Sequence, residues 1–226
     1  MSAGEPAPAP PPGADVLFGD ALPALTRYAD RLAGDGIERG LLGPREVPRL
    51  WDRHLLNSAA VATLLPAGAT AVDVGTGAGL PGMVVALVRP DVAMTLVDST
   101  ARRTAFVSEV VDELGVGDRV RVVTGRVEER AVRDTLGRFD VVLSRAVAAL
   151  PTLVRWCLPL TAPGGTVLAV KGARARDEVT ETREAVRRAG AVVTEVHDLP
   201  FGDQTTTVVA LQRRPRPVSR ETRGAQ

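Results

Sequence analysis

VDVGTGAGLPG, residues 72–82, joins a short β-branched run to an apolar helical one through a chain of glycines. TAVDV has the composition of a strand buried on both faces, and Pro81 is a fitting first residue for the helix that follows. In open α/β sheets such a strand–loop–helix unit carries its ligand at the carboxyl ends of the strands. Gly75, Gly77 and Gly79 allow the backbone to turn sharply and to approach a ligand without a Cβ clash.

Downstream, short apolar runs alternate with helical ones: AMTLVDS, ARRTAFVSEVVDELG, RVRVVTG, VEERAVRDTL, FDVVLSRA, LPTLVRWCLPLT, GGTVLAVKG and ARDEVTETREAVRRAG. This alternation predicts parallel strands joined by right-handed helical crossovers. AVVTEVHDLP and TTTVVALQRR follow with no helix between them, which predicts an antiparallel hairpin at one edge. The expected fold is α/β and Rossmann-like: a mostly parallel seven-stranded sheet with a C-terminal antiparallel hairpin, spanning residues 67–212. That layout is associated with class I S-adenosylmethionine-dependent methyltransferases rather than with dinucleotide dehydrogenases.

Upstream, residues 15–66 lack strand-like runs. Leu22, Leu25, Tyr28, Ala29 and Leu32 recur at helical spacing, as do Leu50, Leu55, Leu56, Val61 and Leu64, predicting an N-terminal helical segment. Gly34, Gly36, Gly40 and Gly43-Pro44 are expected to divide it into separate helices. Residues 1–14, rich in Pro and Ala, and 213–226, rich in Arg, read as disordered tails.

With 45% apolar and 24% charged residues, the chain can bury one sizeable core. Aromatic content of 3% disfavours base stacking on an aromatic platform, and a net charge of +1 does not announce a nucleic-acid binder. Positive charge is almost all Arg, with Lys171 the sole lysine. The single Cys157 rules out an intrachain disulfide and reads as a small core hydrophobe. No ligand spacing suggests a metal. No leader and no apolar run near ~18 residues is present, which implies a cytoplasmic protein and no membrane partner.

The loop itself discriminates between ligands. A dinucleotide fingerprint requires its third glycine at position 80, which is Leu80. S-adenosylmethionine needs no pyrophosphate cradle, and Asp73 beside the loop suits a cationic α-amino group directly or through water. Asp98 ends the next strand, where an acid can accept both ribose hydroxyls, with capping of the following helix at Ser99-Thr100 as the lesser alternative. Gly75, Gly77 and Asp98 are therefore candidate cofactor residues.

Together, WDRHLLNS (51–58), DVGTGAGLPG (73–82), VDS (97–99), GRVEE (125–129), FDVVLSRAVAAL (139–150) and VLAVKG (167–172) make the chain resemble the small-subunit ribosomal RNA guanine-N7 methyltransferase G family, also called glucose-inhibited division protein B. The resemblance covers roughly residues 20–212. It implies methylation of N7 of one guanine in the 530 loop of 16S rRNA, with S-adenosyl-L-methionine as cofactor. It further implies cofactor contacts at Gly75, Leu80, Val127, Glu128 and Arg145. GRVEE also follows the strand RVRVV, where an adenine would lie, although acids in the first turn of a helix are ordinary. Two departures stand out: Asn57 replaces the family's usual Asp, and RYADRLAGDGIERGLLGPRE replaces its usual N-terminal motifs.

Guanine N7 has an in-plane lone pair and no proton, so no catalytic acid or base is expected and proximity can supply most of the rate. His54 and Arg53, in WDRHLLNS, are candidate RNA-facing residues, with packing the alternative for His54; His197 reads as structural. Lys171 ends the strand VLAVK, where an ammonium could meet a phosphate or the base O6, or be a neutral surface residue. Near-neutral charge suggests that the assembled 30S subunit, rather than naked 16S rRNA, supplies recognition. A methyltransferase acting on a small molecule or protein would share every cofactor residue.

Overall fold

The computed structural model describes residues 7–145, 147–201 and 204–214. Residues 1–6 and 215–226, within the expected tails, lie outside the described residues.

Five strands, β1 (Thr70–Val74), β2 (Ala93–Asp98), β3 (Val120–Thr124), β4 (Phe139–Arg145) and β5 (Thr161–Lys171), run parallel. β6 (Ala191–Phe201) and β7 (Gln204–Arg213) form the antiparallel hairpin, with β7 against β5. The order is β3-β2-β1-β4-β5-β7-β6. The order of strand addition reverses between β1 and its parallel neighbour β4, which opens the crevice where such sheets bind ligands.

Side chains alternate across the sheet with the period of two that a pleated strand imposes. Ala71, Leu143, Leu168 and Ala210 enter one core, and Val72, Val142, Val167 and Leu211 the other. The first core is covered by the N-terminal helices and by α4 (Gly82–Val88) and α5 (Ala101–Leu114). The second is covered by α6 (Arg130–Leu136), α7 (Leu150–Cys157) and α8 (Ala175–Arg188), and contains Cys157. Phe106, Val107, Val110 and Val111 give α5 one buried stripe, and Gly115, at φ 64°, ends it in the left-handed conformation.

The N-terminal segment comprises α1 (Ala14–Phe18), α2 (Leu22–Arg31) and α3 (Asn57–Ala62), connected by tighter and wider helical turns. One expectation is corrected here. Gly34 and Gly36 do not break a helix but lie inside a π turn, Leu32–Gly36, that continues α2. The chain breaks later, at Gly40 (φ 63°), after the Gly36 carbonyl has accepted the Leu41 amide at 2.8 Å. Within the stretch read as an N-terminal tail, Ala7 packs against the first core and the Pro8 carbonyl accepts Trp51 Nε1–H at 2.8 Å.

Three attachments fix this segment over the sheet domain. Arg31 pairs with Asp35, Glu109 and Glu113, and Arg39 pairs with Glu109, tying α2 to α5. Tyr28 Oη donates to the Ala78 carbonyl at 2.7 Å, inside the glycine loop. Thr206 Oγ1 of β7 donates to Asn57 Oδ1 at 2.7 Å, while Asn57 Nδ2 donates to the Arg53 carbonyl. An Asp at position 57 could accept from Thr206 but, ionised, could not donate to Arg53.

Candidate active site

The glycine loop is closed upon itself. The amides of Gly75 and Thr76 donate to Val97 O, those of Gly79 and Leu80 to Thr76 O, and that of Met83 to Gly79 O. Gly77 N–H donates to Asp98 Oδ2 at 3.1 Å. Asp73 Oδ2 accepts the Thr76 hydroxyl at 2.7 Å and Gly82 N–H at 2.9 Å, which caps the start of α4. The amides that would cradle a diphosphate in a dinucleotide site already have protein acceptors.

Asp73 is fully buried. Burial pushes its carboxyl up to about 6, against the lowering influence of Thr76, Gly82 and Arg145. It does not line the cleft, so capping α4 is its main task. Its second oxygen, Oδ1, is buried and has no hydrogen-bond partner.

A cleft of about 360 Å³ opens at the carboxyl ends of the central strands. Five residues singled out in the sequence line it: Gly75, Asp98, Val127, Glu128 and Arg145. Gly77 lies behind it, bonded to Asp98. Leu80 does not reach it: its side chain is 4% exposed and packed in the first core. Asp98 both caps a helix and lines the cleft. Its Oδ1 accepts Thr100 N–H at 2.9 Å at the start of α5, yet its carboxylate faces the cleft beside Arg103, 3.3 Å away.

A second cleft, of about 330 Å³, is lined by Arg53, His54, Arg145, Val170, Lys171 and Gly172. The three substrate-side candidates are thus brought together, with Arg145 common to both clefts. Lys171 is less free than its position suggested. Its ammonium donates to the Ala148 carbonyl at 2.8 Å and to Glu178 Oε1 at 3.1 Å, binding the loop after β4 to α8. His54 is buried, with Nε2 against Glu46 and Nδ1 facing Arg145. Arg53 is exposed and paired to Glu46 Oε1 at 3.2 Å.

Other participants gave no local sequence signal. Trp156 of α7 and Val147 wall the first cleft, and a Cβ on Gly75 would come within 2.9 Å of Val147. Arg133 Nη1 donates to the Val127 and Glu128 carbonyls and fixes that turn. Among the described residues no His, Cys, Asp and Glu cluster could hold a metal.

The profile of the GidB family, rRNA small subunit methyltransferase G, matches residues 21–206. The chain belongs to this family. Ribosomal RNA small subunit methyltransferase G of Salinispora arenicola (strain CNS-205) is 51% identical over 226 residues, covering 93% of each chain. That of Mycolicibacterium gilvum (strain PYR-GCK) is 48% identical, covering 92% of this chain and 95% of the relative. More distant structures share the fold alone. The O-methyltransferase NcsB1, in complex with S-adenosyl-L-homocysteine, has a TM-score of 0.61 at 16% identity, covering 90% of this chain and 64% of that one. A ribosomal protein L11 methylase from Lactobacillus delbrueckii has a TM-score of 0.54 at 14% identity, covering 71% and 77%. Membership in the methyltransferase G family makes this chain a methyltransferase, and its cofactor is S-adenosyl-L-methionine.

Proposed function

We propose that this chain methylates N7 of a guanine in the 530 loop of 16S rRNA, with the cofactor in the first cleft and the guanine in the second. The observation that carries this reading is Arg145, which lines both clefts and so marks where they meet.

The residues of the first cleft fit the cofactor. Asp98 and Glu128 are acceptors for hydroxyl and amine donors. The bonded amides of the glycine loop leave little to hold a phosphate. When bound, S-adenosyl-L-methionine supplies an electrophilic methyl group carried on a sulfonium.

The chain's own residues have little proton chemistry to perform, because N7 of guanine offers a lone pair and releases no proton. Binding and orientation dominate. Val127 and Trp156 give the first cleft apolar wall against water. Gly75, held open by its positive φ of 73°, keeps the loop clear of the cleft. Arg53, exposed at the mouth, is placed to meet a phosphate of the incoming loop. A guanine in a loop leaves its stack at lower cost than one in a duplex, which suits a recessed site.

The assembled 30S subunit is the proposed partner, since a net charge of +1 provides little sequence-independent attraction to naked RNA. None of the described helices is long and apolar enough to cross a membrane. The deciding experiment maps N7-methylguanine in 16S rRNA from cells with and without the gene. Loss of the mark from the 530 loop is the expected result, and an unchanged mark refutes the acceptor. Purified enzyme should modify 30S particles faster than free 16S rRNA; equal rates remove the subunit from the proposal.

A further inference from the structure

Arg145 ends β4 with a long, largely buried side chain, and a guanidinium in that position needs acceptors to hold it in one direction. The structure supplies one from the N-terminal segment. Arg145 Nη2 donates to His54 Nδ1 at 3.3 Å. On the far side of the ring, His54 Nε2 lies 2.7 Å from Glu46 Oε2. A nitrogen that accepts from a guanidinium carries no proton, so the proton of the neutral ring sits on Nε2 and is donated to Glu46. The imidazole is 8% exposed and lies in the π turn Leu50–Leu56, while Glu46 precedes it in the turn Pro44–Arg49.

We propose that His54, fixed in one tautomer by Glu46, is a positioning residue that aims Arg145 into the cofactor cleft, so that the N-terminal segment sets the affinity of a site built on the sheet. This rests on the reading of Arg145 as a cofactor residue.

The arrangement works only with a neutral imidazole. A proton on Nδ1 removes the acceptor and sets two cations against each other. Arg145 and Arg53 oppose protonation of His54, and Glu46 favours it. Burial, the largest influence, joins Arg145 in holding the ring below the usual histidine range. The Asp73 carboxylate also acts electrostatically on Arg145. The Asp73 carboxyl, at about 6, titrates inside the range scanned below, so the histidine must be isolated by comparing variants.

The test is S-adenosylhomocysteine affinity of the full chain by calorimetry, without RNA, from pH about 5 to 8. His54→Ala and Arg145→Ala should each weaken binding about tenfold at neutral pH, the worth of one charged hydrogen bond. His54→Asn offers an amide oxygen in place of Nδ1; it should recover most of that loss and lack the histidine part of the acid-side fall. Glu46→Gln should move that part to lower pH, because the carboxylate no longer favours protonation. Parent-like binding by His54→Ala, with Arg145→Ala weakened, overturns the positioning role alone. Parent-like binding by Arg145→Ala overturns the cofactor reading of that residue as well. The chain has only two histidines, so ring NMR of the unmodified protein gives an answer independent of any variant's folding. A proton on Nε2 of His54 is expected, and a proton on Nδ1 refutes the relay.

Discussion

Around the glycine loop the chain bonds to itself. Backbone amides meet carbonyls a few residues away or on the adjacent strand, and Asp73 closes the turn between β1 and α4. The second cleft is assembled from side chains instead. Its walls come from the N-terminal segment, the end of β4 and the end of β5, brought together by His54, Arg145 and Lys171. The first construction is mostly local, with Tyr28 its long-range contact. The second depends on contacts such as His54–Arg145, which span 91 residues. The proposed cofactor cleft thus rests largely on local geometry and the proposed acceptor cleft on long-range geometry, and Arg145 belongs to both.

Substitutions should separate the two. The largest effect is expected for Gly82→Ala. The added Cβ would sit 2.4 Å from Leu96 and 2.7 Å from the Asp73 Cβ, both inside the first core. Overpacking of this kind costs about 1–3 kcal/mol, and here it also displaces the cap of α4. Thermal unfolding should fall accordingly and S-adenosylhomocysteine binding should be lost. An Ala variant that melts and binds like the parent would show the loop to be far looser than its contacts imply.

A comparable effect should follow the Asp73 proton. The carboxyl titrates near 6 in the folded chain and near 3.9 when unfolded. Its contribution to stability is complete below the unfolded value and is lost as pH rises through 6. Asp73→Asn keeps an oxygen for Thr76 and Gly82 and removes the titration. Between pH about 4 and 7 the parent should lose on the order of 3 kcal/mol relative to this variant. Parallel stability curves in denaturant would contradict the buried charge.

Tyr28→Phe tests where the two constructions touch. It leaves the Ala78 carbonyl without its hydroxyl donor, and should cost about 1–2 kcal/mol in chemical denaturation. No change would mean that the loop holds its shape without the N-terminal segment. The smallest effect belongs to Asn57 and Thr206. A double-mutant cycle to Ala should give a coupling of about 0.5–1 kcal/mol, and additive losses would discount the link.

The same contrast explains how much the sequence reveals. Strands, crossovers and hairpin are legible because hydrophobic periodicity is local, and VDVGTGAGLPG is legible because glycines and Asp73 act within one turn. Asp98 follows from its place at a strand end, whereas Val127, Glu128 and Arg145 come from the resemblance to the methyltransferase G family, which their places after strands support. Tyr28, Glu46, Trp156 and Val147 do not, because nothing within their own stretches shows which loop or cleft the fold brings against them. Lys171 is visible as an isolated ammonium, but its acceptors, Ala148 and Glu178, come from two other elements. Gly34 and Gly36 look like helix breakers since propensity favours that reading; packing of Leu32 and Ala33 into the first core carries the helix past them.

The bond between Asn57 and Thr206 joins residues 149 positions apart. A ribosome making this chain at roughly 5–20 residues per second releases α3 several seconds before β7. During that interval β1 to β4 can pair and the glycine loop can close, while α3 still lacks the strand that anchors it. The birth order of the chain therefore lets the glycine loop form first and leaves the anchor of α3 until last.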